Sequence, residues 1–273
     1  MSDTLIGLLH PGEMGAAAAA CLTGRGYQVL WVPAGRGPAT QARAAAAGLT
    51  AAAGPDAAGQ ATDLARRADI ILSICPPHAA LPVARAVADR GAGAFTGIFV
   101  DANAISPGTA REVAAAVESA GASYVDGGII GSPPGPDGSA RLYLSGPRSG
   151  PIAALFAGTA LDARVIDGSG LTAASAVKMA YAGWTKGTAA LILAVRALAR
   201  AEGVEDTLLG EWALSQPALA ERSGRAARSA AAKGWRWIGE MEEISASMVA
   251  AGLPGGFHLA AAEVFREPDR FLA

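Results

Sequence analysis

Short runs of β-branched and apolar residues alternate with alanine-rich stretches through the first 167 residues of the chain. The β-rich runs cover residues 4–9, 28–32, 69–74, 97–101 and 123–126, and two further short runs follow at 141–145 and 164–167. This alternation is typical of a parallel sheet with helices packed on both faces. The sequence therefore predicts an α/β fold with a doubly wound sheet in this part of the chain.

The pattern changes at Gly168-Ser169-Gly170, after which the sequence is almost continuously helical. The stretch 173–202 is apolar on every side and predicts one long buried helix. A length of 273 residues is sufficient for two domains of modest size. We therefore predict two domains, residues 1–167 with the sheet and residues 168–273 as an all-helical domain.

The segment from Ile6 to Gly15 has the order strand, turn and helix start, with the turn sequence His10-Pro11-Gly12-Glu13-Met14-Gly15. Gly12 lets the backbone approach a pyrophosphate, and Gly15 lets helix and strand pack closely. His10 replaces the first glycine of the usual fingerprint. A plain turn before an alanine-rich helix is the alternative, but the segment favours a Rossmann-type dinucleotide-binding domain.

The choice of dinucleotide depends on the residues that follow the second strand. NAD-binding domains place a carboxylate there for the ribose 2′-hydroxyl, but no Asp or Glu occurs between Gly26 and Asp56. Arg36, followed by Thr40 and Arg43, suits the 2′-phosphate of NADP instead. Arg36 could equally be a solvated loop residue. We predict NADP, with NAD less favoured.

Lys178 is a single cation in the apolar segment Ser175-Ala176-Val177-Lys178-Met179-Ala180-Tyr181. Burial of a lysine costs free energy unless the ammonium group reaches solvent or a partner. Desolvation in a closed cleft would favour proton exchange with a substrate oxygen. The alternative is that Lys178 extends to the surface, as most helical lysines do.

Four segments taken together resemble the β-hydroxyacid dehydrogenase family, which includes the 3-hydroxyisobutyrate and 6-phosphogluconate dehydrogenases. The closest branch is the poorly characterised phosphogluconate-dehydrogenase-like one. The segments are His10 to Gly15, Asp101 to Pro107, Asp126 to Ser132 and Gly168 to Lys178, and the resemblance covers nearly the whole chain. It implies that Lys178 is the catalytic proton donor and acceptor, that residues 126–132 form a substrate loop, and that the helical domain builds a homodimer.

Two departures from the family bear on the substrate. Where the family has Ser-Gly-Gly to hold a carboxylate, this chain has Ile130, Gly131 and Ser132; Ser132 could substitute or be a turn residue. Where the family has an asparagine after its lysine, the chain has Tyr181 and Ala182. Tyr181 could act beside Lys178 as a second acid or pack in the core.

The predicted site residues form three groups. The predicted catalytic residues are Lys178 and Tyr181. The predicted cofactor contacts are His10, Pro11, Gly12, Glu13, Met14, Arg36, Cys75, Pro76, Pro77 and Asn103. The predicted substrate contacts are Asn103, Gly128, Ile129, Ile130, Ser132 and Trp237. Core packing is the alternative for Trp237.

Composition argues against several other classes of function. A net charge of −2, without a basic stripe, makes nucleic acid an unexpected partner. The start of the chain has no leader pattern and its apolar runs are short, so we expect a cytoplasmic protein without a membrane partner. Cys21 and Cys75 fit buried reduced thiols, and no metal-ligand spacing occurs.

These observations predict an NADP-dependent oxidoreductase that interconverts a secondary alcohol, such as a hydroxy acid, and a carbonyl compound. The loss of the carboxylate anchor and the presence of Tyr181 leave an NADPH-dependent imine reductase as an alternative. A non-catalytic NADP-binding dimer is the third possibility, because the serine and asparagine positions are altered.

Overall fold

The computed structural model describes residues 4–89, 95–135, 138–168, 170–267 and 270–271. Residues 1–3, from the start of the chain, and Ser169, from the predicted boundary motif, lie outside the described residues. The chain divides into two compact units, residues 1–178 and 179–273. The domain boundary predicted after Asp167 precedes this division and stays a prediction.

The described part of the first unit contains one eight-stranded sheet of order β3-β2-β1-β4-β5-β6-β7-β8. Neighbouring strands are parallel except for the antiparallel pair β6 and β7. The order of β1 to β6 is that of a doubly wound dinucleotide-binding sheet, so the predicted fold class is confirmed. The strands are β1 (Leu5–Leu8), β2 (Gln28–Trp31), β3 (Thr50–Ala51), β4 (Ile70–Ser73), β5 (Ile98–Asp101), β6 (Ser123–Gly135), β7 (Gly138–Ser145) and β8 (Leu161–Val165).

Helices cover both faces of this sheet. They are α1 (Glu13–Thr23), α2 (Pro38–Ala46), α3 (Ala57–Arg67), α4 (Ala80–Ala88), α5 (Pro107–Ser119) and α6 (Ser149–Leu155), with a 3₁₀ turn at Pro77–Ala79. Successive strand residues alternate between two apolar cores: Ile70 and Leu72 join α1 and α6 in one, whereas Ile71 joins α3, α4 and α5 in the other. Burial on both faces explains why these strands are almost entirely apolar.

Three details of the sheet differ from the sequence prediction. The strand predicted to end at Asp126 continues to Gly135, so the expected substrate loop is instead part of a β-hairpin with β7. The predicted strand 164–167 begins earlier, at Leu161. The short strand β3 was not predicted, because two exposed residues give no periodic signal.

The helix α7 (Ala173–Ala201) confirms the long helix predicted over 173–202, but the prediction that it is buried was wrong: Trp184, Leu191 and Leu198 are more than half exposed. The second unit continues with α8 (Glu205–Ser215), α9 (Leu219–Lys233), a 3₁₀ turn at Gly234–Arg236, α10 (Trp237–Ala250) and α11 (Gly256–Arg266). On α11, the buried His258 side chain packs beside Gly183 and Gly187 of α7, where the absence of a Cβ leaves room for the ring. Within the described ranges, no helix is both long and apolar enough to cross a membrane.

Candidate active site

The turn between β1 and α1 depends on two glycines with different surroundings. A Cβ on Gly15 would overlap the carbonyl oxygen of His10, so this position requires glycine for close packing. Around Gly12, by contrast, none of the described atoms lies within 4 Å of a Cβ position. Gly15 therefore shapes the turn, and Gly12 leaves its outer side open.

The N-terminus of α1 suits an anionic group. Gly12 is its N-cap and offers no side chain to the amide groups of the first turn. The first N–H groups of a helix have no partner inside the helix and carry a partial positive charge. An uncapped helix start beside an open glycine is the arrangement that dinucleotide-binding domains use for pyrophosphate. The residues present therefore fit a dinucleotide.

His10 occupies the position of the missing first glycine and is half-buried. Burial, followed by the nearby Arg36 charge, lowers the pKa of His10 to about 4, so the ring is neutral at physiological pH. Its Nδ1 atom has no hydrogen-bond partner among the described residues. Of the other predicted contacts in this turn, Pro11 is buried, Met14 is half-buried and Glu13 is exposed.

Two arginines bind carbonyl oxygens of the same turn. Arg36 Nη2 lies 3.4 Å from Leu9 O, and Arg43 Nε donates to Pro11 O at 3.3 Å. Arg43 Nη2 also donates to Thr40 Oγ1 at 3.0 Å. Both guanidinium groups therefore lie beside the dinucleotide turn, on the segment that follows β2.

A row of four buried polar residues crosses the sheet at the level where β4, β5 and β7 end. Ser73, Asp101, Asp126 and Ser145 are paired residue by residue across β4, β5, β6 and β7. Each is at most 1% exposed. We call these four residues the polar row. Ligands of doubly wound sheets bind beyond the carboxyl ends of the strands, so the polar row lies next to the expected ligand site.

Asn103 links two strand ends at this edge. Its Oδ1 accepts a hydrogen bond from Cys75 N at 2.5 Å, and its Nδ2 donates to Ser73 Oγ at 3.1 Å. The predicted cofactor and substrate contact Asn103 is thus buried and used to hold the 73–75 segment.

Cys75 is half-buried rather than buried, as is Cys21. Burial raises the pKa of the Cys75 thiol to about 12, so it is not a nucleophile. Nearby, Pro77 is half-buried and Pro76 is exposed.

The two carboxyl groups of the polar row have different partners. Burial raises the pKa of Asp101 to about 7, and its Oδ2 has no hydrogen-bond partner among the described residues. Burial also raises the pKa of Asp126, but hydrogen bonds from Ser175 and Ser145 oppose the shift. Asp126 Oδ2 accepts from Ser175 N at 2.8 Å, and Asp126 Oδ1 accepts from Ser175 Oγ at 2.6 Å.

Lys178 lies on the first turns of α7 and faces β6. Its Nζ donates to Ile129 O at 2.8 Å, and the side chain is partly buried. A Cβ on Gly128 would come within 3.0 Å of Lys178 Cβ and 2.7 Å of Ala174 O. Glycine at position 128 therefore lets α7 approach the strand, and this helix fills the space beside it.

The remaining predicted substrate contacts of the first unit lie along β6. Ile129 and Ile130 are buried, and Ser132 is exposed. Gly131 has a φ of +117°, and a Cβ there would overlap Ser139 O, so the register shift after it depends on glycine. Ser132 therefore follows an irregular part of the hairpin.

Two predicted site residues belong to the second unit. Tyr181 is 46% exposed, so the core-packing interpretation of this residue was wrong. Trp237 is buried in an edge-to-face contact with Phe265, with ring centroids 5.0 Å apart, and Lys186 Nζ lies 5.4 Å from its ring. Trp237 thus packs in the core of the second unit, which was the alternative to a substrate contact for this residue.

The family model described as the "NAD binding domain of 6-phosphogluconate dehydrogenase" matches residues 4–150, which contain the turn and all four residues of the polar row. The chain belongs to the β-hydroxyacid dehydrogenase family. The first unit of this family member thus contains a domain for a nicotinamide cofactor. Residues 199–267 match a domain of unknown function, DUF1932. No curated protein matches the chain in sequence.

Solved structures share the fold over the whole chain. A conserved protein of unknown function, described as similar to 3-hydroxyacid dehydrogenases, has 24% identity and a TM-score of 0.69, with 98% of this chain and 99% of that one covered. The Mycobacterium tuberculosis 3-hydroxyisobutyrate dehydrogenase with L-serine has 20% identity and a TM-score of 0.68, with 98% and 95% covered. The Myxococcus stipitatus imine reductase with NAD⁺ has 20% identity and a TM-score of 0.60, with 99% and 94% covered.

Sequence reasoning placed Asp126 in the expected substrate loop but gave no individual role to the residues of the polar row or to Ser175. The available signal was a polar residue at the end of several apolar runs, at Ser73, Asp101, Asp126 and Ser145. Which of them pair depends on strand register, which the runs alone do not give. Among the described residues, no group of three or more His, Cys, Asp or Glu side chains could hold a metal ion.

Proposed function

We propose that this family member is an NADP-dependent oxidoreductase that interconverts a secondary alcohol and a carbonyl compound, with Lys178 as the acid and base. The observation that carries the proposal is the placement of Lys178 Nζ at 2.8 Å from Ile129 O, on the strand that continues from the polar row. A bound nicotinamide supplies or accepts the hydride at the substrate carbon.

Lys178 performs the proton transfer of this reaction. During reduction its ammonium group donates a proton to the substrate oxygen, on which negative charge develops as the carbon receives the hydride. During oxidation the neutral amine takes the proton back. The bond to a single carbonyl oxygen leaves two of the three ammonium hydrogens for water or substrate.

The test is NADPH oxidation with a panel of keto acids, aldehydes, ketones and cyclic imines, in the parent and in Lys178→Ala. We expect turnover of a carbonyl compound and a decrease of about 10³-fold in Lys178→Ala, the usual size of a general acid contribution. Lys186→Ala serves as a control for loss of a lysine elsewhere on α7. Carbonyl turnover at the parental rate in Lys178→Ala would refute the mechanism.

Imine reduction is the second candidate. Where the family has a serine that holds the substrate carboxylate, this chain has the buried Ile130, and the nearby Ser132 is exposed. Tyr181 has an exposed phenol that can act as the acid. If imines alone are reduced, and Tyr181→Phe is slower than Lys178→Ala, this candidate replaces the first. Tight NADPH binding without turnover on the whole panel would favour the non-catalytic dimer.

For the cofactor, we propose that Arg36, with Arg43 and Thr40 nearby, binds the 2′-phosphate of NADP. Support comes from the two guanidinium groups beside the dinucleotide turn and from the absence of an acidic residue between Gly26 and Asp56. We expect Arg36→Ala to lower the NADP-to-NAD affinity ratio about tenfold, measured by calorimetric titration. An unchanged ratio would contradict this assignment, and Arg25→Ala is the control, because Arg25 follows the end of α1 opposite to the turn.

We further propose a homodimer formed through the helical unit. Large apolar side chains lie exposed on α7 at Tyr181, Trp184, Leu191 and Leu198, in steps of three and seven residues that repeat one helical face. We expect Leu191→Glu to give a monomer by light scattering, and Leu214→Glu on α8 to leave the dimer intact. A monomeric parent protein would refute the proposal.

The cytoplasmic location stays a prediction that cell fractionation can test.

A further inference from the structure

The first turn of α7 is capped by side chains that come from the sheet. Ala174 N donates to Ser145 Oγ at 3.0 Å, and Ser175 N donates to Asp126 Oδ2 at 2.8 Å. These amides belong to the group that has no partner inside a helix. Their acceptors are 29 and 49 residues away in the chain, on β7 and β6.

Two other helices of the same unit, α3 and α5, are capped by the side chain of their own preceding residue. Asp56 accepts from Gly59 N at 2.8 Å at the start of α3, and Ser106 accepts from Thr109 N at 3.1 Å at the start of α5. A local cap fixes where a helix begins but moves with the helix. A cap from the sheet also fixes the helix relative to the strands, because any shift of α7 would break these hydrogen bonds.

Asp126 makes the largest set of these contacts. Its two oxygens accept from Ser175 N and Ser175 Oγ, and Ser145 Oγ lies 3.1 Å from Oδ2. The hydroxyl of Tyr124 is 3.5 Å from Oδ1. Asp126 is 1% exposed and Ser175 is fully buried, so water does not replace these bonds. A carboxylate is also the favourable charge at a helix N-terminus.

Ser175 and Lys178 are three residues apart and so share one face of α7. Ser175 contacts Asp126 on β6, and Lys178 contacts Ile129 on the same strand. Between these two points, the missing side chain of Gly128 allows the close approach of the helix. The register of α7 on β6 is therefore fixed at two places, and Lys178 Nζ is at the second.

We propose that Asp126 is a positioning residue that, through Ser175 and the first turn of α7, holds Lys178 in register with β6 for its reaction. This inference rests on the proposed role of Lys178. Asp126 itself does not exchange a proton with the substrate in this scheme; both its oxygens are engaged with α7 and the polar row.

The test compares Asp126→Asn with Asp56→Asn, the same substitution at a helix cap that is local and outside the site. The substrate is the carbonyl compound of highest turnover in the panel. We expect Asp126→Asn to lower kcat 10- to 100-fold with the dissociation constant of NADPH within twofold of the parent. We expect Asp56→Asn to change neither quantity. A kcat of Asp126→Asn within twofold of the parent would overturn the inference.

A double-mutant cycle separates positioning from general damage to the fold. If Asp126 acts through Lys178, Asp126→Asn causes no further loss of kcat in the Lys178→Ala background. An equal loss in both backgrounds would overturn the inference. Should Asp126→Asn fail to fold, Ser175→Ala replaces it, because it removes the 2.6 Å bond and keeps the backbone amide. The expected loss of kcat is then three- to tenfold, again absent in Lys178→Ala.

Hydrogen exchange tests the same contact without any substrate. We expect the amides of Ala174 and Ser175 to exchange at least tenfold faster in Asp126→Asn than in the parent, and the α3 amides to exchange at the parental rate. Unchanged protection of α7 would overturn the inference even if kcat fell. Carbonyl turnover at the parental rate in Lys178→Ala, together with faster exchange of α7 in Asp126→Asn, would refute the proposed role of Lys178. It would leave intact only the conclusion that Asp126 caps α7.

Discussion

The helices α1 and α7 begin at the same edge of the sheet, but their first amide groups have opposite surroundings. At α1, Gly12 provides no side-chain cap and leaves open space beside the first turn. At α7, Ser145 and Asp126 bind the amides of the first turn from buried positions. An open start leaves N–H groups for a ligand, whereas a closed start holds the helix and any side chain on it in a fixed place.

Gly12→Ala should have the largest effect on the open start. The new methyl group would meet no described atom of the protein but would occupy the space that a pyrophosphate needs. We expect about 100-fold weaker cofactor binding by calorimetry, or about 3 kcal/mol, with the urea midpoint unchanged. Gly150→Ala, at another open glycine on α6, should leave binding intact. Unaltered affinity in Gly12→Ala would show that the ligand does not approach this turn.

Gly15→Ala should affect the same turn by lowering the stability of the folded protein rather than by blocking a ligand. Its Cβ would overlap the His10 carbonyl oxygen, and backbone atoms cannot move aside as a flexible side chain can. We expect a loss of about 2 kcal/mol in the free energy of unfolding, measured by urea denaturation. A variant as stable as the parent would show that the turn relaxes easily, and the contrast between Gly12 and Gly15 would disappear.

Ser145→Ala should loosen the closed start. It leaves the buried Ala174 amide without its acceptor, which costs about 1.5 kcal/mol. Ser106→Ala removes a local cap and is the matched control. Hydrogen exchange should increase at α7 in the first variant and at α5 in the second. Faster exchange at α7 in both variants would mean that the cap from the sheet is not specific to this helix.

Asp101→Asn should show the smallest effect, and one that depends on pH. The folded-state pKa of about 7 lies above the ordinary value of 3.8, so the folded protein holds this proton more tightly than the unfolded chain. Its stabilising contribution is complete below about pH 4 and is lost as the pH rises towards 7. Asn cannot ionise, so the stability of the variant relative to the parent should increase by about 1 kcal/mol between pH 6 and 7.

The measurement is the difference in unfolding free energy between Asp101→Asn and the parent across this pH range. Taking the difference cancels the opposite contribution of His10, whose lowered pKa gives stability that is lost as the pH falls from 6.5 to about 4. A difference that does not vary with pH would mean that Asp101 is already ionised in the folded protein. Its environment would then be closer to that of Asp126 than the contacts indicate.

The sequence by itself determined the doubly wound sheet, the long helix and the dinucleotide turn. Each depends on local signals: alternating apolar runs, helical periodicity, and glycines at fixed offsets from a strand. It also singled out Lys178 as an unusual cation in an apolar helix and Arg36 as the cation after β2. These features are properties of a few neighbouring residues, so they are visible without the fold.

Only the tertiary structure decided which residues meet. The strand β6 continues past Asp126 because it pairs with β7, so the expected substrate loop is a hairpin. Asn103 holds Cys75, and Asp126 binds the start of α7 from 49 residues away. Strand register and helix docking bring these groups together, and both are set by pairing and packing over long sequence distances. The sequence was sufficient to single out Lys178 as a candidate. The position of its amine depends on the contacts between α7 and β6, which no local sequence pattern contains.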